Sequence, residues 1–450
     1  MSFHENSKEH LKFLAQELFS SLSGDEAASL NLVSEEQTYL RFNSSKLRQS
    51  TDVVQHDLQL EFQKSQRKMN LQFQLTGNQV TDLAMMMSGL ERARAEVQIL
   101  PEDPFLVPIE NHGETQAHYP GVSPDPRSIV EFLAEKTAGT QFTGLLASGP
   151  LVRANINSKG QNHWFSNQSF FLDYSLYTVN SRQENKAVKG GYASGEWKNE
   201  EFLKDLRFSQ EQLEKLKEPA ISVPPGVYRA YLAPGAHDDL VQMMGWGALS
   251  FGAFKRGQSA LAKLHLGEVQ LSTKVNLSEN YELGLGPQFS NTGEVSPTHL
   301  PLVQAGKLKN FLVSSRSAKE YEVADNGASL YESPRSLEML GGGLTRDNTL
   351  KQLGTGVYLS NLHYCNWSDM QNARITGMTR YACFWVENGE LAAPIKDMRF
   401  DESLFRIWGP QLEDLSSETK LIPATDTYGN RALGGKKIPG LLTREFRFTL

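Results

Sequence analysis

Apolar and polar residues alternate through four successive stretches between residues 30 and 75 of this chain. The apolar positions are Leu30, Leu32, Tyr39, Leu40, Phe42, Leu58, Leu60, Phe62, Met69, Leu71, Phe73 and Leu75. Alternation places apolar side chains on one face of a strand, so the pattern predicts half-buried strands of an antiparallel sheet. The polar Asn43-Ser44-Ser45 between two of the stretches predicts a hairpin turn.

Other segments of the N-terminal half predict helices that are segregated from these strands. One helix is indicated by apolar residues at helical spacing from Leu11 to Leu22, with Asn6-Ser7 as its N-cap and Gly24 as its stop. Further helices are predicted at residues 80–97, 128–136 and 198–217. The resulting fold class is α+β.

A proline-containing break divides the chain into two predicted domains. Strands are predicted on both sides of a turn at Asn157–Gly160, whereas residues 101–126 predict an extended loop. The histidines of that loop, His112 and His118, are interpreted as solvated, since no cysteine or carboxylate cluster stands near them. Residues 218–226, EPAISVPPG, interrupt regular structure. We therefore expect an N-terminal α+β domain, residues 1–218, and a β-rich C-terminal domain, residues 226–450.

Composition excludes several classes of protein. The 450 residues carry a formal net charge of -7, which gives no electrostatic footprint for direct nucleic-acid binding. Two cysteines, Cys365 and Cys383, argue against a disulfide framework. The N-terminal residues lack the pattern of a secretory signal, and no later segment predicts a membrane span. A cytoplasmic protein is expected.

Two short clusters contain residue types that bind metals. His237-Asp238-Asp239 is one, and His363 with Cys365 is the other, since alternate residues of a strand point the same way. Each lacks a third convergent ligand in the local sequence, so packing or hydrogen bonding is the favoured interpretation. No Gly-x-Ser-x-Gly elbow or Cys–His signature indicates a nucleophile, and Gly341–Gly343 are interpreted as a turn before a helix.

The stretch LAPGAHDDLVQMMGWGALSFGAFKRG, from Leu232 to Gly257, resembles the TldD/PmbA family, the so-called modulators of DNA gyrase. In the TldD branch of that family the same frame carries HExxxH on one helix, and zinc is bound there. Here Gln242 stands at the first histidine, Met243 at the glutamate and Gly247 at the second histidine. We expect a helix from Leu240 to Lys255 whose Val241, Met244, Trp246 and Leu249 pack in the core.

The resemblance continues to the C-terminus with further departures. Ser290–Glu294 replaces an aspartate-rich element, whereas Gly377, Glu387, Gly389 and Pro394 hold the family's register, with Asn388-Gly389 as a hairpin turn. The cysteine that completes the zinc site of TldD chains falls near Thr427 or Tyr428 here. The resemblance is therefore to the PmbA/TldE-like branch, which lacks the zinc motif.

That resemblance implies a non-catalytic subunit of a TldD-type metalloprotease complex, acting in proteolysis or maturation of peptides. Its partner is expected to be a TldD-type subunit or a second copy, with zinc in the TldD-type partner and no cofactor in this chain. No catalytic or metal-ligating residue is assigned, and an exposed sheet edge in the C-terminal half is expected to hold an extended peptide. Two alternatives stay open: a self-sufficient metallopeptidase with other ligands, and a stand-alone peptide-binding scaffold.

Overall fold

A computed structural model describes residues 2–450, which form helices packed on two sheets. The N-terminal sheet consists of β1 (Ala27–Asn43), β2 (Lys46–Lys64), β3 (Arg67–Gln74), β4 (Glu114–Tyr119), β5 (Gln141–Asn157), β6 (Asn162–Val179) and β7 (Asn185–Ser194). The helices of this half are α1 (Phe3–Ser20), α2 (Gln79–Glu96), α3 (Pro126–Lys136) and α4 (Asn199–Lys215). The expected α+β class is confirmed.

The strand order of this sheet is β3-β2-β1-β5-β6-β4, and β7 pairs with β6 further along the same edge. All pairings are antiparallel except that of β4 with β6. Helices α1 and α2 cover one end of one face of the sheet, around Leu30, and α3 and α4 cover the other end of the same face, around Phe42. The predicted hairpin is present: Ser44 and Ser45 join β1 to β2 with φ of 50° and 60°.

Two local predictions for this half are wrong. Asn6-Ser7 does not cap α1, because the helix begins earlier, at Phe3, and the Ser7 hydroxyl donates back to the Phe3 carbonyl. The cap is Ser2, whose amide donates to the Glu5 carboxylate at 2.8 Å. Residues 101–126 are not entirely loop, since β4 lies within them and His118 of β4 is hydrogen-bonded to Ser166. His112 is exposed.

The C-terminal half contains a thirteen-stranded mixed sheet. Its strands are β8 (Gly226–Leu232), β9 (Leu277–Asn280), β10 (His299–Gln304), β11 (Lys307–Leu308), β12 (Ser336–Met339), β13 (Gly356–Leu359), β14 (Asn361–Asp369), β15 (Arg374–Arg380), β16 (Phe384–Glu387), β17 (Glu390–Pro394), β18 (Arg399–Ser403), β19 (Leu412–Pro423) and β20 (Gly435–Phe448). The helices are α5 (Pro234–Val241), α6 (Phe251–Lys255), α7 (Ala262–His265), α8 (Ser315–Tyr321), α9 (Thr349–Leu353) and α10 (Leu404–Ile407). Asn388 and Gly389 form the predicted hairpin turn with φ of 51° and 81°.

One apolar cluster is shared between the two halves. Phe142, Tyr174 and Phe202 of the N-terminal half belong to the same buried cluster as Tyr358 and Phe384 of the C-terminal half. The segment 216–225 between α4 and β8 contains no helix or strand. Among residues 2–450, no helix has the length and apolar character needed to cross a membrane.

Candidate functional site

The segment that aligns with the zinc motif is not one helix. Helix α5 ends at Val241, a single 3₁₀ turn covers Gln242–Gly245, and α6 begins only at Phe251. Gly247 lies between them with φ 84°, a left-handed conformation that ends a right-handed helix. The predicted helix from Leu240 to Lys255 is therefore wrong, and the three motif positions do not share a helical face.

The side chains at these positions have different surroundings. Gln242 is exposed and faces a cleft, whereas Met243 is buried with only 1% of its surface exposed. Val241, Met244 and Leu249 pack in the core as expected. Trp246 does not, because the chain turns outward after the 3₁₀ turn and leaves its side chain 52% exposed. An amide, a buried thioether and a glycine remain at the motif, and these do not supply a zinc site.

His237 of α5 is fully buried and uses both ring nitrogens. Its Nδ1–H donates to the Pro439 carbonyl at 2.8 Å, and its Nε2 accepts from the Trp408 indole N–H at 2.9 Å. Since a carbonyl only accepts and an indole only donates, these partners fix one neutral tautomer. Burial lowers the pKa of His237 to about 4. His237 has no free lone pair for a metal.

The two aspartates beside His237 line the cleft. Asp238 pairs with Lys436 at 2.5 Å, and burial raises the pKa of this carboxyl in spite of the lysine. Asp239 accepts from the Leu362 amide at 2.7 Å, and burial raises its pKa to about 7. Each of these two carboxyl groups therefore already has a hydrogen-bonding partner within the protein.

His363 and Cys365, the second candidate cluster, do not lie in the regular alternation that would place both side chains on one face of β14. Between them Tyr364 has φ 53°, and the pairing of β14 with β15 shifts register after His363, so the strand alternation is interrupted. Burial, and then nearby Asp239, raises the pKa of Cys365 to about 12. Across residues 2–450, no group of three His, Cys, Asp or Glu side chains is arranged to hold a metal ion. The donor set at the former motif therefore does not fit zinc.

A loop of residues 424–434, the C-terminal loop, contains the position of the missing cysteine. Its neck is closed where the Ala424 amide donates to the Gly434 carbonyl at 3.0 Å. Thr427 is half-buried, and Tyr428 is 99% exposed. Neither supplies a thiol, and neither lies in a cluster of metal-binding side chains within the described chain.

Arg431 attaches this loop to the N-terminal sheet. Its guanidinium donates to Gln37 Oε1 at 3.1 Å and to the Ser169 carbonyl at 2.7 Å, while its amide donates to Glu35 at 2.7 Å. Burial lowers the pKa of Arg431 to about 10. Sequence reasoning missed this contact, because nothing in the local pattern distinguishes a buried arginine from a surface arginine.

The Ser290–Glu294 element and the Asn157–Gly160 turn meet between the two halves. Asn155, just before that turn, donates to the Asn291 carbonyl at 2.8 Å, and Gly293 packs against the Gln161 side chain with φ 102°. Glu294 is buried and accepts from the hydroxyls of Ser290 and Thr292. The position of the lost acidic pair therefore contributes to interdomain packing.

A cleft of about 1730 Å³ lies between the two halves. One wall comes from β7 and α4, and the opposite wall comes from β19, α5 and the neck of the C-terminal loop. Asp205 of α4 spans it, accepting from Arg346 at 3.1 Å and Lys420 at 3.5 Å. Strand β7 pairs only with β6, and β19 pairs with β20 apart from one bridge at Ser416. Two sheet edges therefore face one cleft.

Comparison with known proteins identifies the fold and the family. Residues 225–449 match the profile of the PmbA/TldA metallopeptidase C-terminal domain. A curated relative, metalloprotease PmbA of Escherichia coli O157:H7, is 26% identical over 204 residues, which is 45% of this chain and 42% of that protein. The match thus spans less than half of the relative.

Solved structures share the whole fold at low identity. TldE from Thermococcus kodakarensis has a TM-score of 0.77 and 13% identity, with 99% of this chain and 100% of that chain covered. Proposed modulators of DNA gyrase from Thermotoga maritima and Bacteroides thetaiotaomicron have TM-scores of 0.76 and 0.78, with 15% and 16% identity and complete coverage of both chains. With the profile match across half of its length, this chain belongs to the TldD/PmbA family.

Proposed function

We propose that this chain is a non-catalytic, peptide-holding subunit of a TldD-type metalloprotease pair. The observation that carries the proposal is the combination of an intact cleft with a motif segment that has no zinc-binding donors. Gln242, Met243 and Gly247 replace the motif, and the nearby His237 is occupied by Trp408 and Pro439. The zinc and its attacking water belong to the TldD-type partner in this proposal.

The cleft supports binding of an extended peptide. Main-chain N–H and C=O groups on the free side of an edge strand accept another strand without regard to its sequence. Both β7 and β19 offer such an edge along the cleft. A subunit that binds in this way takes peptides or unfolded segments rather than folded proteins, because only an extended chain presents its main chain to a sheet edge.

A co-purification experiment tests the partnership. This chain, carrying an affinity tag, is co-expressed with a TldD-type chain that retains HExxxH. We expect a complex that contains zinc in stoichiometric amount, whereas the tagged chain purified alone contains none. Loss of zinc from the complex on substitution of the partner's first motif histidine assigns the metal to the partner.

Two outcomes favour the alternatives instead. Stoichiometric zinc in the isolated chain, lost on substitution of His363→Ala or Cys365→Ser, indicates a self-sufficient metallopeptidase. An isolated chain that binds peptide, assembles only with itself and captures no TldD-type chain indicates a stand-alone scaffold.

A further inference from the structure

Gly191 is a glycine in the middle of an edge strand that lines the cleft. It lies in β7 directly opposite Asp173 of β6. Glycine weakens a strand, because it loses more backbone freedom on folding and gives no side chain to pack. Glycine is therefore expected at such a position only where the backbone conformation, close packing or a ligand requires it.

The fold supplies no reason for Gly191. Its φ is not among the positive values, and a Cβ added there would meet only the Leu172 carbonyl, at an ordinary 3.8 Å. Its neighbour Gly190 is different, since a Cβ there would lie 2.1 Å from the Tyr174 ring. Contact with the Tyr174 ring therefore accounts for the glycine at Gly190, whereas no steric contact accounts for the glycine at Gly191.

Gly191 is half-buried, and the residues around it on the cleft side are of mixed polarity. Side chains alternate along a strand, so Lys189 and Ala193 share its face. Lys189 forms an ion pair with Asp173 on one side. On the other side, Phe171 lies opposite Ala193, and the Arg431 guanidinium stands 5.3 Å above the Phe171 ring. Gly191 therefore lines the cleft without a side chain of its own, between an ion pair and an aromatic ring.

We infer that Gly191 forms a subsite for an aromatic side chain of a peptide strand paired with β7. An aromatic residue directly across from an edge glycine covers its exposed backbone and stabilises the pairing. The subsite rests on the proposed peptide-holding function and adds a side-chain preference to main-chain binding. It makes Gly191 a specificity-determining residue.

The test uses two fluorescein-labelled decapeptides of alternating threonine and alanine, one with a central alanine replaced by phenylalanine. Fluorescence anisotropy measures their affinities for the full chain. We expect the phenylalanine peptide to bind about twofold to fivefold more tightly. In Gly191→Val that ratio falls to about one, while the Tm does not decrease.

Two control variants accompany the measurement. Ala187→Val adds the same bulk on the same face of β7 but outside the cleft, and it is expected to keep the preference. Gly190→Ala is expected to lower the Tm through contact with Tyr174.

An unchanged ratio in Gly191→Val overturns the subsite and leaves peptide holding intact. A loss of Tm in Gly191→Val also overturns it, because the fold would then require the glycine. If the unsubstituted chain binds neither decapeptide, peptide holding by this chain fails, and the subsite fails with it.

Discussion

Two buried side chains near the motif segment, His237 and Glu332, hold neighbouring elements together. His237 joins α5 to β20 through Pro439 and to α10 through Trp408, which lies directly after that helix. Glu332 has a similar role: it accepts from the Gly252 amide at 2.8 Å and the Ser314 amide at 2.9 Å, at the starts of α6 and α8. Both buried side chains therefore fix short helices in place.

Glu332→Gln is expected to destabilise the protein by about 2 kcal/mol, because an amide nitrogen then faces donors that need an acceptor. Glu332 is buried and also accepts from the hydroxyls of Ser250 and Ser314. Urea unfolding followed by tryptophan fluorescence measures the change. Glu17→Gln, on the exposed face of α1, is the matched control and is expected to have no effect. Equal stability of both variants would refute the capping role.

His237 gives stability a defined dependence on pH. Its folded pKa of about 4 lies below the ordinary 6.5, so the unfolded state binds more protons between these values. The contribution is complete above about pH 6.5 and is lost as the pH falls towards 4, amounting to roughly 3 kcal/mol. Asp239, whose pKa is raised, acts in the opposite sense, so the difference between variants is the informative quantity.

The pH dependence attributed to His237 is tested by measuring the free energy of unfolding of the unsubstituted chain and of His237→Gln from pH 4 to 7. We expect the free energy of unfolding of the unsubstituted chain to fall more steeply on acidification than that of His237→Gln. The difference in slope corresponds to at most about one bound proton. His112→Gln, at an exposed position, is expected to follow the unsubstituted chain. Parallel curves for all three proteins would contradict the burial account of His237.

At the scale of elements, Gly247 decides the shape of the motif segment. Its φ of 84° costs an L-residue about 1 to 2 kcal/mol, and a Cβ there meets nothing closer than 3.6 Å. Gly247→Ala is therefore expected to lower the free energy of unfolding by that amount through the backbone alone. Gly429→Ala, with no positive φ and no neighbour within 4 Å, is the control and is expected to be neutral. A neutral Gly247→Ala would indicate that the helix continues through this position.

The C-terminal loop is held mainly by Arg431. Arg431→Ala leaves the Ser169 carbonyl and Gln37 without their donor, so residues 424–434 are expected to exchange amide hydrogens faster. Hydrogen–deuterium exchange measures this, with α1 as an internal reference that stays unchanged. Arg444→Ala, at an exposed position, is the control. Unchanged exchange in the loop would show that other contacts suffice.

The elements differ in how far the sequence predicts them. Helix α2 and the turns at Ser44-Ser45 and Asn388-Gly389 follow from local patterns, because apolar spacing and turn chemistry act over a few residues. Strand β4 was missed, because its partners lie in β6, far along the chain. The helix break at Gly247 was missed too, because a single glycine within an apolar run does not reveal its φ.

At the scale of the whole molecule, the two halves share a core and enclose one cleft. The cluster around Phe202 and Tyr358 crosses the predicted boundary at 218–226, and Asp205 joins the cleft walls through Arg346 and Lys420. The sequence indicates the family and the absence of zinc ligands from the motif. It does not indicate that β7 and β19 face each other, since each edge is defined by tertiary packing.

In the proposed function, this chain holds peptides and leaves catalysis to a partner. The most direct measurement is cleavage of a reduced, unfolded polypeptide by the isolated chain, by a TldD-type chain and by the two together. We expect zinc-dependent cleavage by the pair, abolished when the glutamate of the partner's HExxxH is replaced by glutamine, and no cleavage by this chain alone. Chelator-sensitive cleavage by the isolated chain would contradict it.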